Sequence, residues 1–74
     1  MKSFPDAVAK QHTKLMKKHG GILSLHEGHS LLREEFEEFW DEVKLKPKNR
    51  SASRLRGELI QLAAVAQIIA ESVK

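Results

Sequence analysis

Leu25, His29, Leu32, Phe36, Phe39 and Val43 follow one another at spacings of four, three, four, three and four residues. Only an α-helix gathers such a series onto one face, so this stretch is expected to bury a helical stripe. Ser24 opens the segment as "SLHE", where Ser24 can cap and Glu27 can reach back in a capping box. Pro47 ends it by disfavouring helical geometry at Lys46. A second helical segment follows "KPKNRSAS", with Ser51 or Ser53 as its cap, and carries Leu55, Leu59, Leu62, Ala66, Ile69 and Val73 as its stripe. An earlier one begins near Pro5, a residue suited to a first turn, and stops at Gly20 and Gly21; Phe4, Val8, Leu15 and Met16 give it a thin apolar face. No alternating strand pattern and no internal repeat interrupts this order. The expectation is an all-α chain, one domain over residues 1–74, with helices at about 4–19, 25–45 and 52–73. The last two form an antiparallel helical hairpin about Pro47.

A monomer of 74 residues buries only about 60% of its unfolded surface, and without cysteine neither disulfides nor a thiolate metal site make up the deficit. Self-association is the remaining supplement. Ile60, Ala64 and Ile68 lie opposite the stripe of the last helix, which makes that helix apolar nearly all round and in need of cover on more than one side. The expected assembly is a helical bundle formed as a dimer or tetramer. The N-terminal "MKSFPDAVAK" lacks the apolar core of a signal peptide, and the run "LAAVA" is far short of the roughly 20 residues that cross a bilayer. A soluble, cytoplasmic protein with no membrane partner is expected.

The formal charge of +3 hides an uneven distribution, with acids crowding residues 34–42 and bases crowding residues 44–56. At about 100° per residue, Glu34, Glu37 and Asp41 point away from the apolar stripe, whereas Glu35, Glu38 and Glu42 run along its border with Leu31. Glu58 and Gln61 stand three apart on the border of the next helix in the same manner. With a rise of about 1.5 Å per residue, Glu38 lies about 10 Å before the turn and Glu58 about 8 Å after it, so a hairpin brings them to similar heights. Two readings are open. The acids are a solvated, salt-bridged helix face, or Glu35, Glu38 and Glu58 with the amide oxygen of Gln61 converge on a cation that offsets their repulsion. Hard oxygen donors of this kind suit magnesium or manganese.

"EEFEE" at Glu34 to Glu38, followed by Glu58 on the next helix, resembles the EExxE and ExxD signature of the MazG-type all-α nucleoside triphosphate pyrophosphohydrolases. "EEFEEFWDEV" and "ELIQLAAVAQ" are similar to short MazG-like proteins, and the likeness covers roughly residues 20–74. Gln61 departs from the pattern by standing where the family has aspartate. The resemblance implies hydrolysis of a nucleoside triphosphate to the monophosphate and pyrophosphate in housecleaning of the nucleotide pool. It implies Mg2+, with Mn2+ as a substitute, held by Glu35, Glu38 and Glu58, with Gln61 at the aspartate's place. Such an ion bridges phosphate oxygens and polarises the attacked phosphorus. Glu34 is a candidate water-orienting base. The resemblance stops short of the family's last helix, which leaves the nucleotide pocket incomplete unless a neighbouring subunit supplies the missing wall.

Between the acidic pairs, "KLKPKNRSASRLR" offers Lys46, Lys48, Arg50 and Arg54 as holders of triphosphate or pyrophosphate charge; a plain basic turn complementing the preceding helix end is the other reading. "HEGH" lacks the HExxH spacing of zinc proteases, so His26 and His29 are not expected to bind zinc. Trp40 borders the apolar face and is read as packing rather than base stacking. Two further classes compete with the enzyme. One is a non-enzymatic helical partner-binding module that retains a degenerate metal site. The other, nucleic-acid binding through the basic loop, lacks interleaved aromatics and a long basic stripe.

Overall fold

Serine side chains start all three helices. In the computed structural model, which describes residues 3–21 and 24–73, α1 spans Phe4–His19, α2 spans Leu25–Val43 and α3 spans Ala52–Ser72. Ser3, Ser24 and Ser51 each accept from the backbone N–H three residues on, at 3.3, 3.1 and 3.2 Å, satisfying donors that a helix N-terminus leaves open. Of the two serines considered for the last cap, Ser51 holds the position. Gly20 takes φ +71, a left-handed conformation that glycine adopts at little cost, and its N–H bonds Met16 to close α1. Two helix ends lie inside the expected bounds: α2 stops at Val43 rather than 45, and α3 at Ser72 rather than 73. Lys44 closes α2, and Pro47–Asn49 then form a short 3-10 turn, so Leu45 and Lys46 belong to the connection. No strand occurs among the described residues.

Both α1 and α2 pack on α3, while no close backbone approach joins α1 to α2 among the described residues. Gln11 donates to Gln61 Oε1 at 3.2 Å, and His12 Nε2 lies 2.6 Å from Glu71 Oε1, tying α1 to α3. The guanidinium of Arg56 sits 5.5 Å from the Phe4 ring centroid. The three helices make a slab only 19 Å across its shortest axis, less than two helix diameters of about 10–12 Å.

This layering corrects the expected burial. Among the described residues the buried apolar side chains are Ala64, Val65 and Ile68, and Ala64 and Ile68 lie on the side of α3 read above as its reverse. The small Ala64 admits close approach at that point. The stripe of α3 is partly open instead, with Leu59, Ala66 and Val73 exposed and Leu55, Leu62 and Ile69 half-buried. On α2, Leu25 is 65% exposed, Phe36 59% and Trp40 52%, and His29 is also exposed, so that series is helical as expected but is not buried within one chain. Accessible surface totals 5645 Å2, against about 4600 Å2 expected of an ordinary folded monomer of 8.4 kDa. Between α2 and α3, with Phe4 of α1 at one end, an apolar groove of about 650 Å3 is walled by Phe4, Leu32, Phe36, Leu59, Leu62 and Ala66. No helix among the described residues is long and apolar enough to cross a membrane.

Candidate metal centre

The six acids between residues 34 and 42 separate by environment. Glu37 accepts from Arg33 at 3.2 Å and Asp41 pairs with Lys44 at 3.0 Å, both on the exposed side of α2 as their helical positions dictate. Such surface pairs contribute about 0.3–0.5 kcal/mol each and carry no chemistry. Glu42, on the border line, receives Arg54 Nε at 2.9 Å across the turn. Glu34 is exposed and lines a cavity between α1, α2 and α3.

Glu35, Glu38 and Glu58 meet. Each offers a carboxylate oxygen, and those oxygens lie within 4.8 Å of one another. A spacing of three residues puts Glu35 and Glu38 on the same flank of α2, and the packing of α2 on α3 brings Glu58 opposite them. Glu35 Oε2 and Glu58 Oε2 are buried with no hydrogen-bond partner. Burial, then the neighbouring Glu38 and Glu58 charges, push the Glu35 carboxyl up to about 7, with a hydrogen bond to Glu38 adding to the rise. Burial and Glu38 likewise raise Glu58 above the ordinary carboxylate range. Three acids at this distance cannot all stay ionised without a positive partner, so either protons or a cation must reside among them. Two orphaned, inward oxygens and an all-carboxylate donor set fit a hard divalent cation.

Gln61 and two of the four basic candidates have other engagements. The Gln61 oxygen accepts from Gln11, a bond that carries α1 onto α3, although a carbonyl oxygen retains a second lone pair. Arg50 donates through Nε at 3.0 Å and through a terminal nitrogen at 2.6 Å to the Val43 carbonyl, capping the end of α2. Arg54 bridges Glu42 and the Asn49 carbonyl, each at 2.9 Å. These contacts favour the structural role for both arginines. Lys46 and Lys48 are exposed on the same turn. The Gln11 and His12 links had no sequence signal, because each depends on a tertiary approach, whereas the Arg50 contact agrees with the reading of a basic turn that complements the preceding helix end. No protein-family model, no curated protein and no solved structure matches this chain.

Proposed function

We propose that the chain is a magnesium-dependent nucleoside triphosphate pyrophosphohydrolase, adding water across the anhydride between the α- and β-phosphates to leave a monophosphate and pyrophosphate. The observation that carries this reading is the pair of buried, partnerless oxygens of Glu35 and Glu58 beside Glu38. The step from a cation to triphosphate chemistry rests on the likeness of "EEFEE" plus Glu58 to the MazG-type signature. Mg2+, or Mn2+ in its place, supplies Lewis-acid charge to the phosphate oxygens. Glu35, Glu38 and Glu58 hold the ion, Gln61 adds an amide oxygen if Gln11 releases it, and Glu34 is the proposed water-orienting base. Lys46 and Lys48 face the departing pyrophosphate from the turn, with Arg50 and Arg54 fixing the turn that presents them. An antiparallel hairpin of α2 and α3 supports this arrangement, since contacts pair Glu42 with Arg54 near the turn and Glu35 with Glu58 farther from it. The test is a screen of the purified protein against natural and modified triphosphates for pyrophosphate release with magnesium or manganese. Release that requires the metal is the expected result, and its absence with every triphosphate refutes the assignment.

We further infer that copies of the chain pair through the groove between α2 and α3, as a dimer or as a tetramer of cytoplasmic helical bundles. The surplus surface of about 1000 Å2 is close to the roughly 800 Å2 per partner of a standard interface. Sedimentation of the wild type should give a mass above 8.4 kDa. Phe36→Asp, which places a charge where two apolar faces meet, should shift it toward monomer; a monomeric wild type contradicts the pairing.

The same groove favours a second reading, a non-enzymatic module that binds helical partners and keeps the acids as a degenerate site. Magnesium that stabilises the protein without any triphosphate being cleaved is the result that selects it.

A further inference from the structure

Beyond the acidic triad, one cavity shares a wall with it. About 370 Å3 opens between the end of α1, the first turns of α2 and the middle of α3, and Glu35 belongs to both the cavity and the triad. The volume is within the lower range of sites that take small organic ligands, about 300–1000 Å3. Leu15, Leu31, Val65 and Ile68 give apolar walls suited to a flat ring or a sugar face. Its polar lining comes from His19 at the end of α1 and from carboxylates of α2. Glu27 and Glu34 also line the cavity and stand seven residues apart, two turns of α2, which puts them on the same face about 10 Å from each other along the axis. Glu34 neighbours the triad directly, while Glu27 lies about 12 Å from Glu35 along the helix, close to the reach from a nucleotide's phosphate to the far edge of its base.

We propose that this cavity receives the nucleoside part of the substrate, with Glu27 accepting the exocyclic amino group of the base. The proposal rests on the triphosphate reading of the adjoining triad. Ionised carboxylates accept hydrogen bonds and donate none. An amino group therefore satisfies Glu27, whereas a carbonyl oxygen in the same place sets two acceptors against each other. The site selects cytosine and adenine over uracil and hypoxanthine, pairs of equal size in which amino is exchanged for oxo. Glu27 stands at the exposed mouth of the cavity, so the selectivity comes from a direct hydrogen bond that only the amino member of each pair can donate.

The experiment compares CTP with UTP and ATP with ITP as substrates in magnesium, for the full chain and for Glu27→Gln. That substitution keeps the backbone N–H bonded to Ser24 Oγ and so leaves the helix start intact. The amino member of each pair should be favoured by about tenfold or more in kcat/KM. In Glu27→Gln the preference should fall to within a few-fold, because the amide offers a donor as well as an acceptor. Titration calorimetry with CMP and UMP supplies an arm that needs no turnover. Tighter binding of CMP, lost in Glu27→Gln, upholds the cavity assignment even if no triphosphate is cleaved, an outcome that refutes the hydrolase reading alone. Turnover with no preference inside either pair, equal binding or no binding of CMP and UMP, or a preference unchanged in Glu27→Gln overturns the cavity proposal.

Discussion

Glu38→Gln is expected to reduce magnesium-dependent pyrophosphate release by at least a hundredfold and to abolish the rise in melting temperature that magnesium gives the wild type. Glu38 lies between Glu35 and Glu58 and interacts with both. Its loss removes one anionic ligand and one source of the repulsion that a cation relieves. A ligand at a hundred times its dissociation constant stabilises a folded protein by about 2.7 kcal/mol, which for a chain of this size is a shift of some 10 °C or more. The variant should therefore melt at the same temperature with and without magnesium. In metal-free buffer it should melt higher than the wild type at pH 8, because one of three mutually repelling charges is gone. Glu37→Gln provides the control: Glu37 pairs with Arg33 at the surface, and the magnesium response should persist. Thermal melts of the three proteins, read beside the activity assay, check each statement. A magnesium response retained in Glu38→Gln contradicts the site.

The second large effect is on pH. Glu35 is raised in the folded chain from 4.5 to about 7, so folding favours its protonated form. Stability from this source is fully present below pH 4.5, falls as pH rises toward 7, and is absent above it. Glu58 acts in the same direction. After allowance for solvent at the partly exposed Glu35, the loss from that group between pH 5 and 8 is about 1–2 kcal/mol, or several degrees in the melting temperature. Glu71 has the opposite sign: its hydrogen bond to His12 lowers its carboxyl, so its contribution is present above pH 4.5 and is lost on further acidification. The metal-free protein should thus be most stable in mildly acidic buffer. Magnesium displaces the bound proton, so its stabilising effect should grow from pH 5 to 8 and the melting profile should flatten when the ion is saturating. Melting curves across that range, with chelator and with magnesium, provide the check. A metal-free protein that gains stability steadily from pH 5 to 8 is the contrary outcome.

The local features of this fold were legible in the sequence because each has a local cause. Ser24, Pro5, Gly20 and Pro47 mark helix ends through hydrogen-bonding or backbone constraints that act within a few residues. The meeting of Glu35, Glu38 and Glu58 was legible for a related reason, since a spacing of three and a constant helical rise place the groups once two helices pack across a short turn. Burial was not. Leu59, Leu62 and Ala66 form one apolar face of α3 and Ile60, Ala64 and Ile68 another, so periodicity alone does not choose between them; the docking of α1 does. Arg50 and Arg54 looked like anion holders because charge is visible in a sequence, whereas the Val43 and Asn49 carbonyls that receive them are products of the turn. The cavity beside Glu35 depends on where Gly20 lets α1 end, which no pattern in α2 or α3 specifies.

Electron paramagnetic resonance of Mn2+ titrated into metal-free protein at pH 8 tests the central claim most directly, because the sharp signal of the hydrated ion is lost when protein oxygens replace its water. The wild type should remove at least one equivalent of that signal per chain, magnesium should restore it by competition, and Glu58→Gln should remove far less. A wild-type titration that overlays the buffer blank contradicts the account.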